Sequence, residues 1–195
     1  MGKMKRSTIT WIIVAAVVLI LLMWFVGAYN RFVTLDQNVN GSWSEVENQY
    51  QRQADLIPNL VSSVSSQVNT ETKFVKDVIA ARTAYLSASS QLAKDTAGQQ
   101  MSGGIQAFVN AVAESYPQLL ASEGYTALRD ELTGTQNRIT VARGNYITSI
   151  QAYNVATKRF PANIIAGTFG FSEKGYYQAS EGSLDTPVLG DGGLP

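Results

Sequence analysis

Residues 128–160 read LRDELTGTQNRITVARGNYITSIQAYNVATKRF, and their apolar and small members recur alternately every four and every three residues. This spacing places those side chains on one face of an α-helix and is typical of helices that pack in bundles. The sequence therefore predicts one long amphipathic helix, which Pro161 ends. The positions on its apolar face are Leu128, Leu132, Thr135, Ile139, Ala142, Tyr146, Ser149, Tyr153, Ala156 and Phe160.

A second long helix is predicted toward the N-terminus, with Pro58 inside it. A proline normally ends or kinks a helix, but the apolar spacing continues on both sides of this one. We expect one continuous helix with a kink, which either bends around the core or acts as a hinge. Asp55 and Asn59 flank the proline and are expected to satisfy backbone groups that the kink frees. The apolar positions are Phe32, Leu35, Val39, Trp43, Val46, Tyr50, Ile57, Val61, Val64 and Val68.

Two shorter helices are predicted between these long ones. The first begins near Asn69 or Thr70, either of which can cap a helix, and its apolar face extends to Leu92. The second carries glycines within residues 98–104, so we expect a frayed start, and Pro117 ends it. Because the connections are short, the four helices are predicted to form an antiparallel up-down bundle in an all-α protein.

An uncharged segment precedes the bundle. Residues 9–28, ITWIIVAAVVLILLMWFVGA, are long enough as a helix to cross the ~30 Å hydrocarbon core of a bilayer. Trp11 lies near one end, and Trp24 and Tyr29 near the other, as in the aromatic belts of a membrane span. A cleaved signal peptide is the alternative, but the run exceeds the usual apolar core of about 7–15 residues. We therefore expect an uncleaved anchor.

The charges around this segment predict its orientation. Lys3, Lys5 and Arg6 precede it, whereas Arg31 is the one basic residue soon after it. The positive-inside rule then predicts a cytoplasmic N-terminus and an exported domain. The absence of cysteine is compatible with export but does not establish it.

Composition excludes several classes of function. Of the 15 basic residues three precede the apolar segment, which leaves 12 against 15 acidic ones, a net charge of −3. This balance gives no electrostatic reason to bind nucleic acid or an anionic lipid face. Histidine and cysteine are absent, and the predicted apolar faces bury no carboxylate. We predict no enzyme, no cofactor and no metal site.

Five segments follow from these patterns. Residues 1–8 form a basic N-terminal segment, 9–28 the transmembrane helix and 29–161 the four-helix bundle. Residues 162–171 form a membrane-proximal apolar segment, and 172–195 an irregular tail with the composition of a disordered one.

The segment 162–171 allows two interpretations. The up-down topology places Phe160 and Pro161 near the bilayer, and the residues that follow are apolar but too few to span it. The segment either straps the base of the bundle or contacts the membrane interface or a neighbouring subunit. The residues predicted to make these contacts are Ile164, Ile165, Phe169 and Phe171.

A polar face on the last long helix is a candidate binding surface for a partner protein. Asn137 and Arg138 lie on the side away from its apolar stripe, and Arg143 and Asn145 follow them along the helix. They form either a recognition surface or an ordinary solvated face.

The sequence resembles the LemA family of bacterial membrane proteins along essentially the whole chain. Two departures are Gln136, where we expect glutamate, and Gly41, where we expect alanine; the first puts in doubt any ion pair with Arg138 or Arg143. The matching stretches are Tyr29-Asn30-x-Phe32-Val33-x-Leu35, Trp43 with Val46, Asp55-Leu56-Ile57-Pro58-Asn59-Leu60-Val61, Ala81-Arg82, Tyr116-Pro117, Thr135-x-Asn137-Arg138-Ile139-x-x-Ala142-Arg143-x-x-Tyr146, Tyr153-Asn154, Phe160-Pro161-x-Asn163-x-Ile165-Ala166, Phe169-Gly170-Phe171, Tyr177 and Glu181-Gly182.

The resemblance implies a membrane-anchored helical bundle without an established activity, in a family associated with membrane remodelling, magnetosomes and a membrane metalloprotease encoded nearby. We therefore expect a single-pass protein of the bacterial inner membrane, with the bilayer as one partner. Two functions stay open: a scaffold that forms homo-oligomers at the membrane surface and organises or remodels the envelope, and an adaptor or modulator of another membrane protein such as a metalloprotease.

Overall fold

The structure is a computed structural model that describes residues 6–69 and 72–175, and within these ranges it contains helices and no strand. The predicted all-α class is therefore confirmed. The elements are α1 (Arg6–Val64), α2 (Lys73–Ser87), α3 (Gln91–Ser115), a short 3₁₀ helix (Pro117–Ala121), α4 (Glu123–Lys158) and α5 (Ala162–Phe169).

Some predicted features lie outside the described residues. They are Lys3 and Lys5 of the basic segment, the alternative cap Thr70, and the tail from Tyr176 onward.

The contacts divide the chain into two compact units. We call residues 38–146 the central unit, and residues 1–37 together with 147–195 the terminal unit. Each has buried residues of its own and is described by itself.

The core of the central unit follows the predicted stripes closely. On α4 the side chains of Leu132, Thr135, Ile139, Ala142 and Tyr146 are all buried, as the alternating spacing predicts. Full burial of one large apolar side chain contributes roughly 1.5–3 kcal/mol, so this face supplies much of the driving force for folding. The helix also begins earlier than predicted, and its first turn buries Tyr125.

On α1 the predicted stripe is confirmed on both sides of the proline, with one position changed. Val46, Tyr50 and Ile57 are buried, but beyond Pro58 the core receives Leu60, whereas Val61 is only partly buried. Val64, at the end of the helix, is buried as predicted, so the buried face continues in phase beyond the proline.

The predicted boundary between the two shorter helices is wrong. Leu92 does not lie on α2, which ends at Ser87, but in the first turn of α3, which begins at Gln91. The Ser90 Oγ accepts a hydrogen bond of 3.2 Å from the backbone N–H of Ala93, which caps α3.

The glycine-containing stretch was also predicted wrongly. Residues 98–104 lie inside α3, which starts at Gln91, and are not a frayed start. The buried Gly98 and Met101 face the core there. The penalty of helical glycine is therefore offset by tertiary packing.

The last residue of the predicted apolar stripe on α4, Phe160, is also predicted wrongly. Helix α4 ends at Lys158, and Phe160 lies beyond it with 81% of its surface exposed. Ser149 is partly buried, and the neighbouring Ile150 takes the fully buried position.

Helix α1 continues through Pro58, as predicted, and a second helix provides the hydrogen bond that the proline removes. Proline lacks the N–H that would bond to the carbonyl four residues earlier, which belongs to Ala54. The Arg82 Nε of α2 donates to this carbonyl oxygen at 2.8 Å. Asp55, predicted to help satisfy the freed backbone, instead accepts a hydrogen bond of 2.8 Å from Gln51.

We therefore predict that Arg82 and Pro58 are energetically coupled. Arg82→Met leaves the Ala54 carbonyl without its donor and should lower the free energy of unfolding by about 1–3 kcal/mol. In a Pro58→Ala background the new backbone N–H serves that carbonyl, so the cost of Arg82→Met should shrink by about 0.5–3 kcal/mol. Urea unfolding of the four chains in mild detergent, followed by circular dichroism, measures this coupling.

Arg52→Met is the matched control. Arg52 forms an exposed ion pair with Glu131 at 2.5 Å, and such pairs contribute about 0–1 kcal/mol. Equal costs of Arg82→Met in both backgrounds would contradict the coupling.

Candidate functional site

The central unit contains a buried polar cluster around Asp95, whose residue surface is only 2% exposed. Its Oδ1 accepts a hydrogen bond of 3.3 Å from the Tyr50 hydroxyl, and its Oδ2 one of 2.7 Å from Gln99. The Arg143 Nη2 lies 3.5 Å from the same Oδ2. Asp95 is therefore a buried carboxylate that lies on none of the predicted apolar faces.

Burial dominates the electrostatics of this cluster. Desolvation raises the pKa of Asp95, and the Arg143 charge and the hydrogen bonds from Gln99 and Tyr50 oppose that rise. Desolvation also raises the pKa of Tyr50, and the neighbouring Asp95 carboxylate adds to the effect. Both carboxylate oxygens are engaged by protein donors, so the cluster has the character of a structural ion pair.

Close packing of α1 on α3 holds the Tyr50 ring in place. A Cβ atom added at Gly98 would lie 2.8 Å from three carbon atoms of that ring. Tyr85 of α2 packs on the same ring with centroids 5.9 Å apart. The glycine is therefore required by a close approach of two helices.

Gln136, the departure from the expected glutamate, belongs to a second polar chain. The Ser102 hydroxyl donates to Gln53 Oε1 at 2.8 Å, and Gln53 Nε2 donates to Gln136 Oε1 at 3.1 Å. The doubt about ion pairs is resolved by other partners: Arg143 pairs with Asp95, and Arg138 Nη2 lies 3.4 Å from the Thr135 hydroxyl.

The structure separates the residues of the predicted partner face. Asn137 and Arg138 are exposed and line a groove of about 310 Å³ together with Glu45 and Val141. Arg143 is five residues beyond Arg138, about 140° around the helix, and reaches the buried Asp95 instead.

In the terminal unit α5 packs against α1 through aromatic rings. Phe169 contacts Phe25 and Tyr29 edge to face, with ring centroids 5.6 Å and 5.1 Å apart. Phe171 stacks on Phe32 at 5.2 Å. Edge-to-face and stacked pairs of this kind contribute about 0.5–1.5 kcal/mol each beyond area burial.

Gly170 allows the chain to turn between these two rings. Its φ of 77° lies in the left-handed region, and the backbone N–H of Phe171 donates to the Ala166 carbonyl at 2.9 Å. A bond of this span, after a glycine in the left-handed conformation, is typical of a Schellman cap at the C-terminus of a helix.

The four predicted contact residues divide into two pairs. Ile165, 3% exposed, belongs to the core with Phe32, and Phe171 is partly buried against that core. Ile164 and Phe169 are 61% and 47% exposed. The segment thus packs within its own unit through Ile165, Phe171 and one part of Phe169, and it leaves Ile164 and the rest of Phe169 exposed.

The residues after α5 are fixed by hydrogen bonds and an ion pair that the sequence does not predict. The buried Asn154 side chain accepts a hydrogen bond from the Lys174 backbone N–H at 2.9 Å and donates to the Lys174 carbonyl at 2.8 Å. The Lys174 Nζ pairs with Asp36 at 2.8 Å and lies 5.2 Å from the centre of the Tyr153 ring. Tyr153-Asn154 is part of the family resemblance, but neither residue's spacing indicates this role.

The predicted anchor residues lie on an exposed helix. Trp11, Trp24 and Tyr29 all have large exposed fractions, as do the aliphatic side chains of the apolar run. Within the described residues α1 is the one helix long and apolar enough to cross a membrane, judged by length and composition. A signal sequence meets the same criterion.

These features define a class: an all-helical protein with a long, exposed, apolar N-terminal helix. Within this class the chain belongs to the LemA family, whose sequence profile matches residues 42–189.

Among curated proteins the chain is similar to the magnetosome proteins MamQ 1 and MamQ 2 of Paramagnetospirillum magneticum, each 27% identical, with 83% of this chain and 68% of the relative covered. The magnetosome protein MamQ of Magnetospirillum gryphiswaldense is 26% identical over the same shares.

Two glycines of α3 test the Tyr50 packing. Gly98→Ala should lower the free energy of unfolding by about 1–3 kcal/mol, because the ring is buried and hydrogen-bonded and cannot move away cheaply. Gly103→Ala, with no atom within 4 Å of the added Cβ, should instead raise it by up to about 1 kcal/mol. Urea unfolding measures both, and stabilisation by Gly98→Ala would contradict the packing argument.

Proposed function

We propose that this chain is a non-enzymatic, single-pass membrane protein that self-associates at the membrane surface and organises or remodels the bacterial envelope. One observation carries the proposal: exposed apolar side chains of α5 extend the exposed apolar surface of α1. Phe169 lies there against Phe25 and Tyr29, at the point where the uncharged run ends, and Ile164 is exposed on the same helix.

An exposed patch of this kind requires a covering. Monomeric soluble proteins rarely expose large contiguous apolar patches, and burial of each such side chain is worth roughly 1.5–3 kcal/mol. Lipid covers the run itself, and a second copy covers the outer face of α5.

The domain is proposed to be an antiparallel four-helix bundle, and pairs of contacts in the central unit support this. Between α1 and α2, Tyr85 donates to the Glu47 carbonyl and Arg82 to that of Ala54, so the two helices run in opposite directions.

The α1–α4 pair also runs in opposite directions. Trp43 contacts Tyr146, and Arg52 pairs with Glu131. As α1 is followed forward, its partners on α4 lie earlier in the chain.

The non-enzymatic part of the proposal rests on the available side chains. The chain has no histidine or cysteine, and within the described residues no cluster of three or more acidic side chains has the geometry of a metal site. The buried carboxylate of Asp95 is engaged by donors on both oxygens.

A second candidate is an adaptor for another envelope protein, such as a membrane metalloprotease. The groove beside Asn137 and Arg138 favours it, because Val141 there is 64% exposed and the arginine can orient an acidic partner.

The self-association proposal is tested by changing the two exposed apolar residues of α5, of which Phe169 also packs on Phe25 and Tyr29. Ile164→Ser with Phe169→Ser should dissociate the assembly while the helical circular dichroism is retained, and Ile164→Ser alone should weaken the assembly without removing those ring contacts. Ile165 is unsuitable for this test, because it is buried and its loss would lower stability directly. Native mass measurement of the complex in native lipid gives the number of subunits.

The matched control changes two exposed apolar residues elsewhere, Ile79→Ser with Leu92→Ser, and should leave the assembly intact. An assembly that survives Ile164→Ser with Phe169→Ser would show that this face is not the contact. If the unmodified chain is monomeric, self-association is wrong and the adaptor is the better account.

The proposed location is the inner membrane, with the N-terminus in the cytoplasm and the helical domain exported. A cysteine replacing Ser183 should then react with a membrane-impermeant maleimide in cells with a permeabilised outer barrier, whereas one replacing Ser7 should not. Mass spectrometry of the labelled chain gives the result, and labelling only at position 7 would reverse the orientation.

A further inference from the structure

A groove in the terminal unit joins an apolar wall to two arginines. Its volume is about 390 Å³, within the ~300–1,000 Å³ range of ligand pockets. One wall comes from α1 at the end of the uncharged run, and the other from the end of α4 and the turn into α5. The residues that line it include Trp24, Gly27, Arg31, Arg159, Phe160 and Pro161.

The two arginines have no acidic partner in the described part of the chain. The acidic residues of the terminal unit in those ranges are Asp36 and Glu173, and each pairs with a lysine. Lys174 lies 2.8 Å from Asp36, and Lys158 lies 2.8 Å from Glu173. Arg31 and Arg159 are exposed and line the same groove. Two guanidinium groups without a carboxylate give this site a positive local charge.

The apolar side of the groove is open and suits a hydrocarbon chain. A Cβ atom added at Gly27 would meet nothing within 4 Å, so the glycine leaves space along α1. Trp24 and Phe160 are both exposed beside it, at 42% and 81%. Tryptophan side chains such as Trp24 are enriched where the hydrocarbon core meets the headgroups.

From this juxtaposition we infer that the groove binds one anionic phospholipid. The guanidinium groups of Arg31 and Arg159 bind its phosphate, since arginine's planar fork of donors matches phosphate oxygens. The acyl chain lies along Gly27, between Trp24 and Phe160. The inference rests on the proposed membrane anchor, which places the groove at headgroup depth.

The charge of the ligand follows from the charge of the groove. A zwitterionic lipid brings a cationic group close to two arginines, whereas an anionic lipid brings none. A basic side chain near an anionic membrane surface is worth a factor of about five in binding.

The test compares phosphatidylglycerol with phosphatidylcholine of the same acyl chains, each added to the full chain in detergent. Native mass spectrometry counts the lipids retained. The unmodified chain should retain one phosphatidylglycerol in preference to phosphatidylcholine. Arg31→Gln and Arg159→Gln should each weaken that binding about fivefold, and the Lys variants at both positions should keep most of the preference.

Gly27→Leu tests the apolar wall without changing the charge. A leucine there fills the space next to Arg31 and should reduce retention of phosphatidylglycerol. Gly41→Leu is its matched control on the same helix, because an added Cβ at Gly41 also meets nothing within 4 Å. Arg138→Gln is the charge control, and both controls should bind like the unmodified chain.

Three results would overturn the inference. The first is equal retention of the two lipids by the unmodified chain. The second is unchanged retention in both Gln variants and in Gly27→Leu. The third is displacement of the lipid by millimolar glycerol phosphate, which would mean that the site recognises free phosphate.

The proposed anchor is measured on the same membranes by alkaline carbonate extraction. A chain that resists extraction but does not distinguish the lipids overturns the lipid site and leaves the anchor intact. A chain that carbonate releases overturns the anchor and the lipid site with it.

Discussion

The Ala54 carbonyl oxygen is the point on which the central unit depends. Pro58 removes its helical donor, and a bare carbonyl in a packed helix costs about 1–3 kcal/mol. The Arg82 guanidinium supplies the donor from another helix. This contact fixes the register of α2 against α1. Tyr85, almost one turn later on α2, then donates a hydrogen bond to the Glu47 carbonyl. Tyr85 in turn packs on the Tyr50 ring, which bonds to Asp95 of α3. Three helices are thus kept in register by hydrogen bonds to groups that apolar spacing does not reveal.

The sequence predicts those parts of the fold that depend on local periodicity. The α4 stripe from Leu132 to Ala156 is the clearest case, because each apolar face can be read without knowing its partner. The start of α3 is not predictable in this way, since Gly98 disfavours a helix locally and is tolerated only because Tyr50 packs against it. Asp95 is hidden for the same reason: its burial depends on Tyr50, Gln99 and Arg143, and two of these are distant in the chain.

The candidate sites likewise combine features that the local sequence predicts with features that depend on residues distant in the chain. The exposed pair Ile164 and Phe169 follows from an apolar segment too short to span a membrane, but the sequence alone does not separate it from the buried Ile165. A helix makes that separation, because it turns successive residues by about 100°. Charge is similar. The net charge of −3 is a sum over all residues beyond the apolar run, whereas the charge of the groove at Arg31 and Arg159 depends on which carboxylates are already paired with lysines.

The attachment of Lys174 combines bonds that respond differently to ionic strength. Its ion pair with Asp36, like that of Lys158 with Glu173, is partly exposed and weakens as salt shortens the Debye length from about 10 Å at 0.1 M to about 3 Å at 1 M. The two hydrogen bonds between the Asn154 amide and the Lys174 backbone join neutral groups, and Asn154 is buried. They are insensitive to such screening. The Lys174 backbone therefore keeps its place at high as at low ionic strength, while salt weakens the ion pairs of the Lys174 and Glu173 side chains.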